Sequence, residues 1–414
     1  MKNIAITTLT IIGLNLLFAC CNSNIKTQVP EQKFALLDSL FKNAVDQMEI
    51  PGAVVYIAKK GQPVYHKAFG FRDIESSTNM EVTDIFRMAS MTKALTAVAT
   101  LQLVERGLIR LDDNIADYIP EFRQLHLLKE VHSDSTYTSE PIVEHITIRQ
   151  LLTHTSGIGY GFQDERYNAL ILKNNISEGF EDDDRTSLAN IQRIAKLPLL
   201  HKPGEKYTYS LSYDVLGVLI EQVSKLRYDH YIQHFILNPI GMNDSYFIVP
   251  KSEQYRIPKA YQPNENGTQL IPTAYPDTLY PKLERRQYFS GGADLCSTAK
   301  DYGDFIQMIK EGGYFNNKRI LGKRYIEMML SKQTKLDDGG YDQGFAAWMT
   351  NEQGAAEGPM GLGSYGFGGF WDTYSWVEPK QDYIAVLLLQ MYPSNAHKIH
   401  EKFQAITYGI IDEL

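Results

Sequence analysis

Phe86-Arg87-Met88-Ala89-Ser90-Met91-Thr92-Lys93 places the pattern Ser-x-x-Lys at the start of a long helix that the periodicity predicts over Ala89 to Glu105, with Gly107 ending it. A serine and a lysine three apart share one face of a helix. A serine at the helix N-terminus also sits among free backbone N–H groups and the positive end of the dipole, which favour an oxyanion beside it. The pattern alone is cheap, because the chain holds four copies. Ser23-Asn24-Ile25-Lys26 lies in a polar stretch, and Ser39-Leu40-Phe41-Lys42 falls in mid-helix, where no N–H group is free. Ser297-Thr298-Ala299-Lys300 precedes a helix, but Thr298 with Asp301 reads as a capping pair. Only Ser90 follows a strand or loop (Ile85-Phe86-Arg87) and opens a helix.

Outward from that helix, the two ends of the chain read alike. Glu31 to Met48 is helical, with Phe34, Leu37, Phe41 and Val45 three or four apart, and Pro51-Gly52 ends it. Ala53 to Lys59 and Val64 to Gly70 form a hairpin about Lys60-Gly61-Gln62. Near the C-terminus, Thr373 to Val377 and Tyr383 to Leu389 form a second, followed by a helix from about Ser394. The middle is mainly helical, with long polar loops expected near 130–145 and 160–187. The pattern predicts an α/β fold: one sheet built from both termini, with a helical subdomain inserted.

The 414 residues are 43% apolar and 22% charged, which suits a globular chain and excludes a disordered, collagen-like or multi-spanning one. The net charge is −8 and no basic stripe occurs, so nucleic acid binding has no electrostatic basis. Three cysteines make no disulfide framework. Met1-Lys2-Asn3 and the apolar stretch Ile4 to Ala19 read as a secretory signal, too short and too interrupted to span a membrane. Leu17-Phe18-Ala19-Cys20 resembles a bacterial lipobox. The expectation is a signal at 1–19, a lipid anchor on Cys20, a tether at 20–30 and one folded domain at 31–414. Membrane contact through that anchor places the domain in the cell envelope. The alternative is an ordinary cleavable signal.

Other motifs fail on context. There is no G-x-S-x-G elbow, and His154 reads as a structural loop histidine. His230 and His234 are i,i+4 neighbours, but Tyr231 stands where a zinc protease needs Glu. No Cys, His and carboxylate cluster has metal-ligand spacing. Gly361 to Gly366 fits G-x-G-x-x-G, yet a strand follows it where a dinucleotide site needs a helix. No cofactor and no metal are expected.

Ser90-Met91-Thr92-Lys93 resembles the tetrad of the class C β-lactamase-like serine hydrolases, which include β-lactamases, D,D-peptidases, esterases and acyltransferases. The likeness extends to Val104-Glu105-Arg106-Gly107-Leu108, to Leu151-Leu152-Thr153-His154-Thr155-Ser156-Gly157, to Pro203-Gly204 with Tyr209-Ser210, and to Gly291-Gly292-Ala293-Asp294-Leu295. These occur in the family's order over residues 31 to about 410. The resemblance implies a β-lactamase/D,D-peptidase-like fold, an antiparallel sheet flanked by helices plus an inserted, mostly helical subdomain, with the site in the cleft. It implies that Ser90 attacks the substrate carbonyl, that Tyr209 and Lys93 share removal of its proton, and that the N–H groups of Ser90 and Phe370 form the oxyanion hole. An ammonium within about 4–6 Å of a phenol favours the ionised form.

Two motifs depart from the family. Its Tyr-x-Asn reads Tyr209-Ser210-Leu211, with Tyr209 chosen over Tyr207 by spacing from Pro203-Gly204. Its third motif, usually Lys-Thr-Gly or a His/Trp-Gly-Gly variant, reads Phe367-Gly368-Gly369. With Leu211, Phe367, Gly368 and Gly369 lining the substrate pocket, the amide partner and the cation are both gone. A charge-assisted hydrogen bond contributes roughly 1.5–3 kcal/mol, so their loss favours a small neutral acyl ester over a β-lactam. Arg285 or Arg286 on a loop is the alternative source of a cation. The expected order is esterase or transesterase, then β-lactamase or D,D-peptidase, with a non-catalytic sensor on the same fold as the reading of another class. The expected partner is a small acyl substrate, and the sequence leaves the oligomeric state open.

Overall fold

Strand β1 (Gly52–Lys59) is apolar on both faces, and it is buried on both. Ala53, Val55 and Ile57 enter one apolar cluster, while Val54, Tyr56 and Ala58 enter another. A strand with two dry faces belongs in the middle of a covered sheet. The computed structural model, which describes residues 31–180, 184–273, 280–282, 284–336, 339–394 and 396–413, places it there. The other strands of this sheet are β2 (Gln62–Asp73), β3 (Thr78–Asn79), β4 (Thr334–Lys335), β5 (Tyr341–Gln343), β6 (Trp348–Thr350), β7 (Tyr365–Gly369), β8 (Thr373–Glu378) and β9 (Tyr383–Leu388). They run antiparallel in the order β4-β5-β6-β7-β8-β9-β1-β2-β3. Tyr56 stands opposite Val386 of β9 on one side and His66 of β2 on the other, so the two ends of the chain close one sheet.

Helices α1 (Ala35–Asp46) and α5 (His397–Ile411) cover one face. Phe41 of α1 meets Phe403 of α5 edge-on at 5.6 Å over Trp376 and Leu387. Helices α2 (Thr92–Glu105), α3 (Ser212–Ser224) and α4 (Ala299–Lys310) build the other side, in one continuous core with the inner face of the sheet. Gly303 lets α4 press onto the sheet, since a Cβ there would lie 2.6 Å from the Tyr56 ring.

Both terminal hairpins and the central helices match the expectation. The loops do not: residues 126–131 and 137–141 form a β-hairpin, and 165–173 and 187–194 are helices. Residues 126–131 and 137–141 are largely exposed, so they carry no apolar alternation to read. The decoys behave as structure. Ser39 bonds back to the Ala35 carbonyl at 2.8 Å, and Thr298 caps α4 by accepting from the Asp301 N–H at 3.1 Å. The signal, Cys20 and the tether lie outside the described residues. Among the described residues no helix is long and apolar enough to cross a membrane, and no group of His, Cys, Asp and Glu is placed to hold a metal.

Candidate active site

Ser90 does not open the α-helix directly. It sits in a 3-10 turn, Ala89–Met91, that feeds α2. Ala89 has φ +48°, a left-handed conformation that a non-glycine residue holds only where its surroundings over-determine it. Several bonds do so here. The Met88 N–H donates to the Leu295 carbonyl at 2.8 Å, and Thr92 Oγ1 donates to the Ala89 carbonyl at 2.6 Å while accepting from the Leu295 N–H at 2.9 Å. Tyr302 OH donates to the Met91 carbonyl at 3.0 Å. The serine is thereby presented from a rigid turn.

Lys93 is 4% exposed, one helical turn on, and its Nζ lies 3.2 Å from Ser90 Oγ. It also donates to the Gly292 carbonyl at 2.9 Å and reaches Tyr160 OH at 3.4 Å. Tyr209 OH stands 2.6 Å from Ser90 Oγ, and Lys93 Nζ lies 4.6 Å from the centre of the Tyr209 ring. The three residues chosen from sequence converge on one point: Tyr209 touches the serine, while Tyr207 lines the cavity.

His154 lines the same cavity and braces the segment that carries Tyr209. It takes φ +55°, its Nδ1 accepts from the Ser210 N–H at 3.1 Å, and its carbonyl accepts from the Thr208 N–H at 2.7 Å. Burial, with the Lys93 charge adding to it, holds its imidazole well below the usual range, so it stays neutral. Its ring packs 4.6 Å from that of Tyr209. The histidine is structural, as its sequence context suggested, but what it positions is the tyrosine.

The cavity over Ser90 has a volume of about 180 Å³, and its walls include Tyr207, Leu336, Gln343, Ala346, Phe367 and Gly368. That is small beside the roughly 300–1,000 Å³ of sites for drug-sized ligands. Phe367 and Gly368 stand where the sequence placed them. Gly369 faces the serine turn: a Cβ on it would lie 2.1 Å from Thr373 Oγ1 and 2.4 Å from the Met88 carbonyl. Phe370, the next residue, stacks its ring on Tyr392 at 3.6 Å. Leu211 is a correction. It is fully buried at the cap of α3 and belongs to the core, because an apolar side chain at that position turns inward, away from the cavity. Neither loop arginine supplies a cation to the cavity: Arg286 is buried in an ion pair with Asp294, and Arg285 is exposed near Asp184.

Sequence reasoning passed over two groups. Tyr160 arrives on a loop, its ring 5.4 Å from that of Tyr209. Burial first, and then the nearby Asp214 and Tyr209 charges, push its phenol well above the ordinary range. Asp214 lies in the first turn of α3, and burial raises its carboxyl to about 6. Neither belongs to a local pattern; only position after Ser156-Gly157 or after Tyr209 could have singled them out.

The family model described as Beta-lactamase matches residues 37–407. The chain is 30% identical over 369 residues to Esterase EstB of Burkholderia gladioli, covering 86% of this chain and 89% of that protein. It is 28% identical over 309 residues to the ML-236A carboxylate methylbutanoyltransferase mlcH of Penicillium citrinum, covering 73% and 70% respectively. Its fold superposes with a TM-score of 0.77 on EstCE1, a hydrolase with promiscuous acyltransferase activity, at 23% identity over 91% of this chain and 99% of that one.

Proposed function

The chain belongs to the Beta-lactamase family and is a serine hydrolase, and from that premise we propose that it is an esterase or transesterase of small neutral acyl groups, working through an acyl-enzyme on Ser90. One observation carries the substrate preference. Among the described residues lining the cavity, Lys93 is the only cation, and it is engaged with Ser90 and Gly292. A substrate carboxylate finds no second positive group there, whereas an ester needs none.

In the proposed reaction Tyr209, ionised to the phenolate beside the Lys93 ammonium, accepts the hydroxyl proton as Ser90 Oγ bonds to the carbonyl carbon. The tetrahedral oxyanion is met by the N–H groups of Ser90 and Phe370, each such donor being worth about 2.7–4 kcal/mol in the transition state. The bond to the leaving alcohol then breaks, and Tyr209 returns the proton to that alcohol. Water, or a second alcohol, attacks the acyl-enzyme by the same steps in reverse and frees the serine. Hydrolysis and transesterification differ only in which acceptor arrives.

Hydrolysis of a short p-nitrophenyl ester beside a chromogenic cephalosporin, with wild type and Ser90→Ala, tests the reading. Ester turnover that Ser90→Ala abolishes, with the cephalosporin untouched, is the expected result. Fast cephalosporin turnover would overturn the substrate class, and an active Ser90→Ala would overturn the nucleophile. We further propose that residues 1–19 are removed and that a lipid on Cys20 holds the domain at a membrane of the cell envelope. Metabolic labelling with an alkyne fatty acid, lost in Cys20→Ala, is the expected outcome.

A further inference from the structure

Beneath Lys93, three segments meet around a residue with no side chain. The Gly292 carbonyl accepts from Lys93 Nζ at 2.9 Å. A Cβ on Gly292 would lie 2.9 Å from Asp214 Oδ2, 3.2 Å from Tyr160 OH and 3.3 Å from Lys93 Nζ. Carboxylate, phenol and ammonium thus crowd one Cα, and the missing methyl is what lets the charges close to the range of about 4–6 Å at which each favours the other.

Asp214 is a costly residue to keep in this place. It is 2% exposed, on a helix whose next residues, Val215 and Leu216, are core. Its Oδ1 accepts from Tyr288 OH at 2.7 Å, which fixes the plane of the carboxyl group. The charged and titratable groups around it are few. Lys93 faces it from α2 and Tyr160 from the loop beside it. Tyr288 and Arg286 approach from the segment before Gly292, Asp294, paired with Arg286, from the residues just after it, and Tyr228 from the helix after α3. Asp294 already has Arg286 as its partner. Among these groups, the carboxylate left to balance Lys93 is that of Asp214.

We propose that Asp214 is a positioning residue of the reaction, the buried counter-charge that keeps the Lys93 ammonium fixed between Ser90 and Tyr209. This rests on Ser90 being the nucleophile. With the counter-charge in place the Lys93 ammonium stays between Ser90 and Tyr209, and the proton from Ser90 goes to Tyr209. Burial raises the Asp214 carboxyl to about 6, against the lowering influence of its Ser290 and Tyr288 hydrogen bonds and of the Lys93 charge. The carboxylate is therefore present at neutral pH and disappears on mild acidification. His154, the imidazole nearest the site, is held well below its ordinary range and does not supply that transition.

The test compares the pH dependence of ester hydrolysis and of Ser90 labelling by a fluorophosphonate in wild type, Asp214→Asn and Ser90→Ala. Wild type is expected to lose activity as pH falls through about 6. Asp214→Asn is expected to lack that limb and to turn over about 10–100-fold more slowly at neutral pH with KM little changed. A dead Ser90→Ala beside an Asp214→Asn that keeps the wild-type limb and kcat overturns this proposal and leaves the nucleophile standing. An active Ser90→Ala overturns the reading beneath it. Should Asp214→Asn fail to fold, the wild type decides alone: a labelling rate that is flat across the acid range overturns the proposal.

Discussion

Two phenols lie against Lys93, and their surroundings give them different work. Tyr209 touches Ser90 Oγ at 2.6 Å, whereas Tyr160 meets Lys93 at 3.4 Å and is held neutral by burial. Tyr209→Phe is expected to lower kcat by about 10²–10⁴ with little change in KM, and Tyr160→Phe by less than about tenfold. Steady-state kinetics on a short ester would show it, and the reverse ranking would move the base to Tyr160. Asp214 also ties stability to pH. Its carboxyl titrates at about 6 in the folded protein against 3.8 ordinarily, so the folded state holds the proton more tightly than the unfolded chain does. Stability therefore falls as pH rises through that window, by roughly 3 kcal/mol once ionisation is complete. Thermal unfolding of wild type and Asp214→Asn at several pH values checks the sign: the variant's advantage should grow from about pH 4 to pH 7. A constant or shrinking gap would contradict it.

At the scale of elements, the site depends on how closely β7 passes the turn before α2. Gly369→Ala would push a methyl to within 2.4 Å of the Met88 carbonyl, a backbone atom that cannot rotate away. The strand must then retreat from Ser90. The expected loss is about 10²–10³ in kcat, the magnitude of one oxyanion donor, with the circular dichroism spectrum unchanged. A fully active Gly369→Ala would show that Phe370 donates nothing. This contact was half legible in the sequence, since Phe367-Gly368-Gly369 could be recognised but its distance to Met88 could not. Legibility elsewhere followed the same division. The terminal hairpins and the helices were readable because burial leaves its mark in the residues, as a stripe along α1 and as near-continuous apolar runs in β1, β9 and α2. Residues 126–141 were not, being largely exposed. Ser90 and Tyr209 were picked by local context and spacing. Leu211 was misplaced because its direction is set by packing, and Tyr160 and Asp214 were missed because only the folded chain brings them to Lys93.

For the whole molecule, the decisive feature is that the sheet is shared by the two ends. Lys33 donates to the Glu413 carbonyl at 2.6 Å, and Lys59 reaches the Ile411 carbonyl, so the ends of the described chain lie side by side. Deleting residues 373–414 would leave Ser90, Lys93 and Tyr209 in place while stripping β8, β9 and α5 from the core. Such a chain is expected to show no cooperative melting transition and no esterase activity, as circular dichroism and the ester assay would report. A sharp melt would mean that the helical part folds alone. The pairing of Val54 with Leu388 also sets a clock on biosynthesis. Translation adds about 5–20 residues per second, so β1 waits roughly half a minute for its neighbour to be made. Until then the newborn hairpin of β1 and β2 shows water two oily faces and an open edge, the kind of surface that aggregates or recruits a chaperone. The proposed nucleophile is synthesised early, and it stays idle until nearly the last strand has left the ribosome.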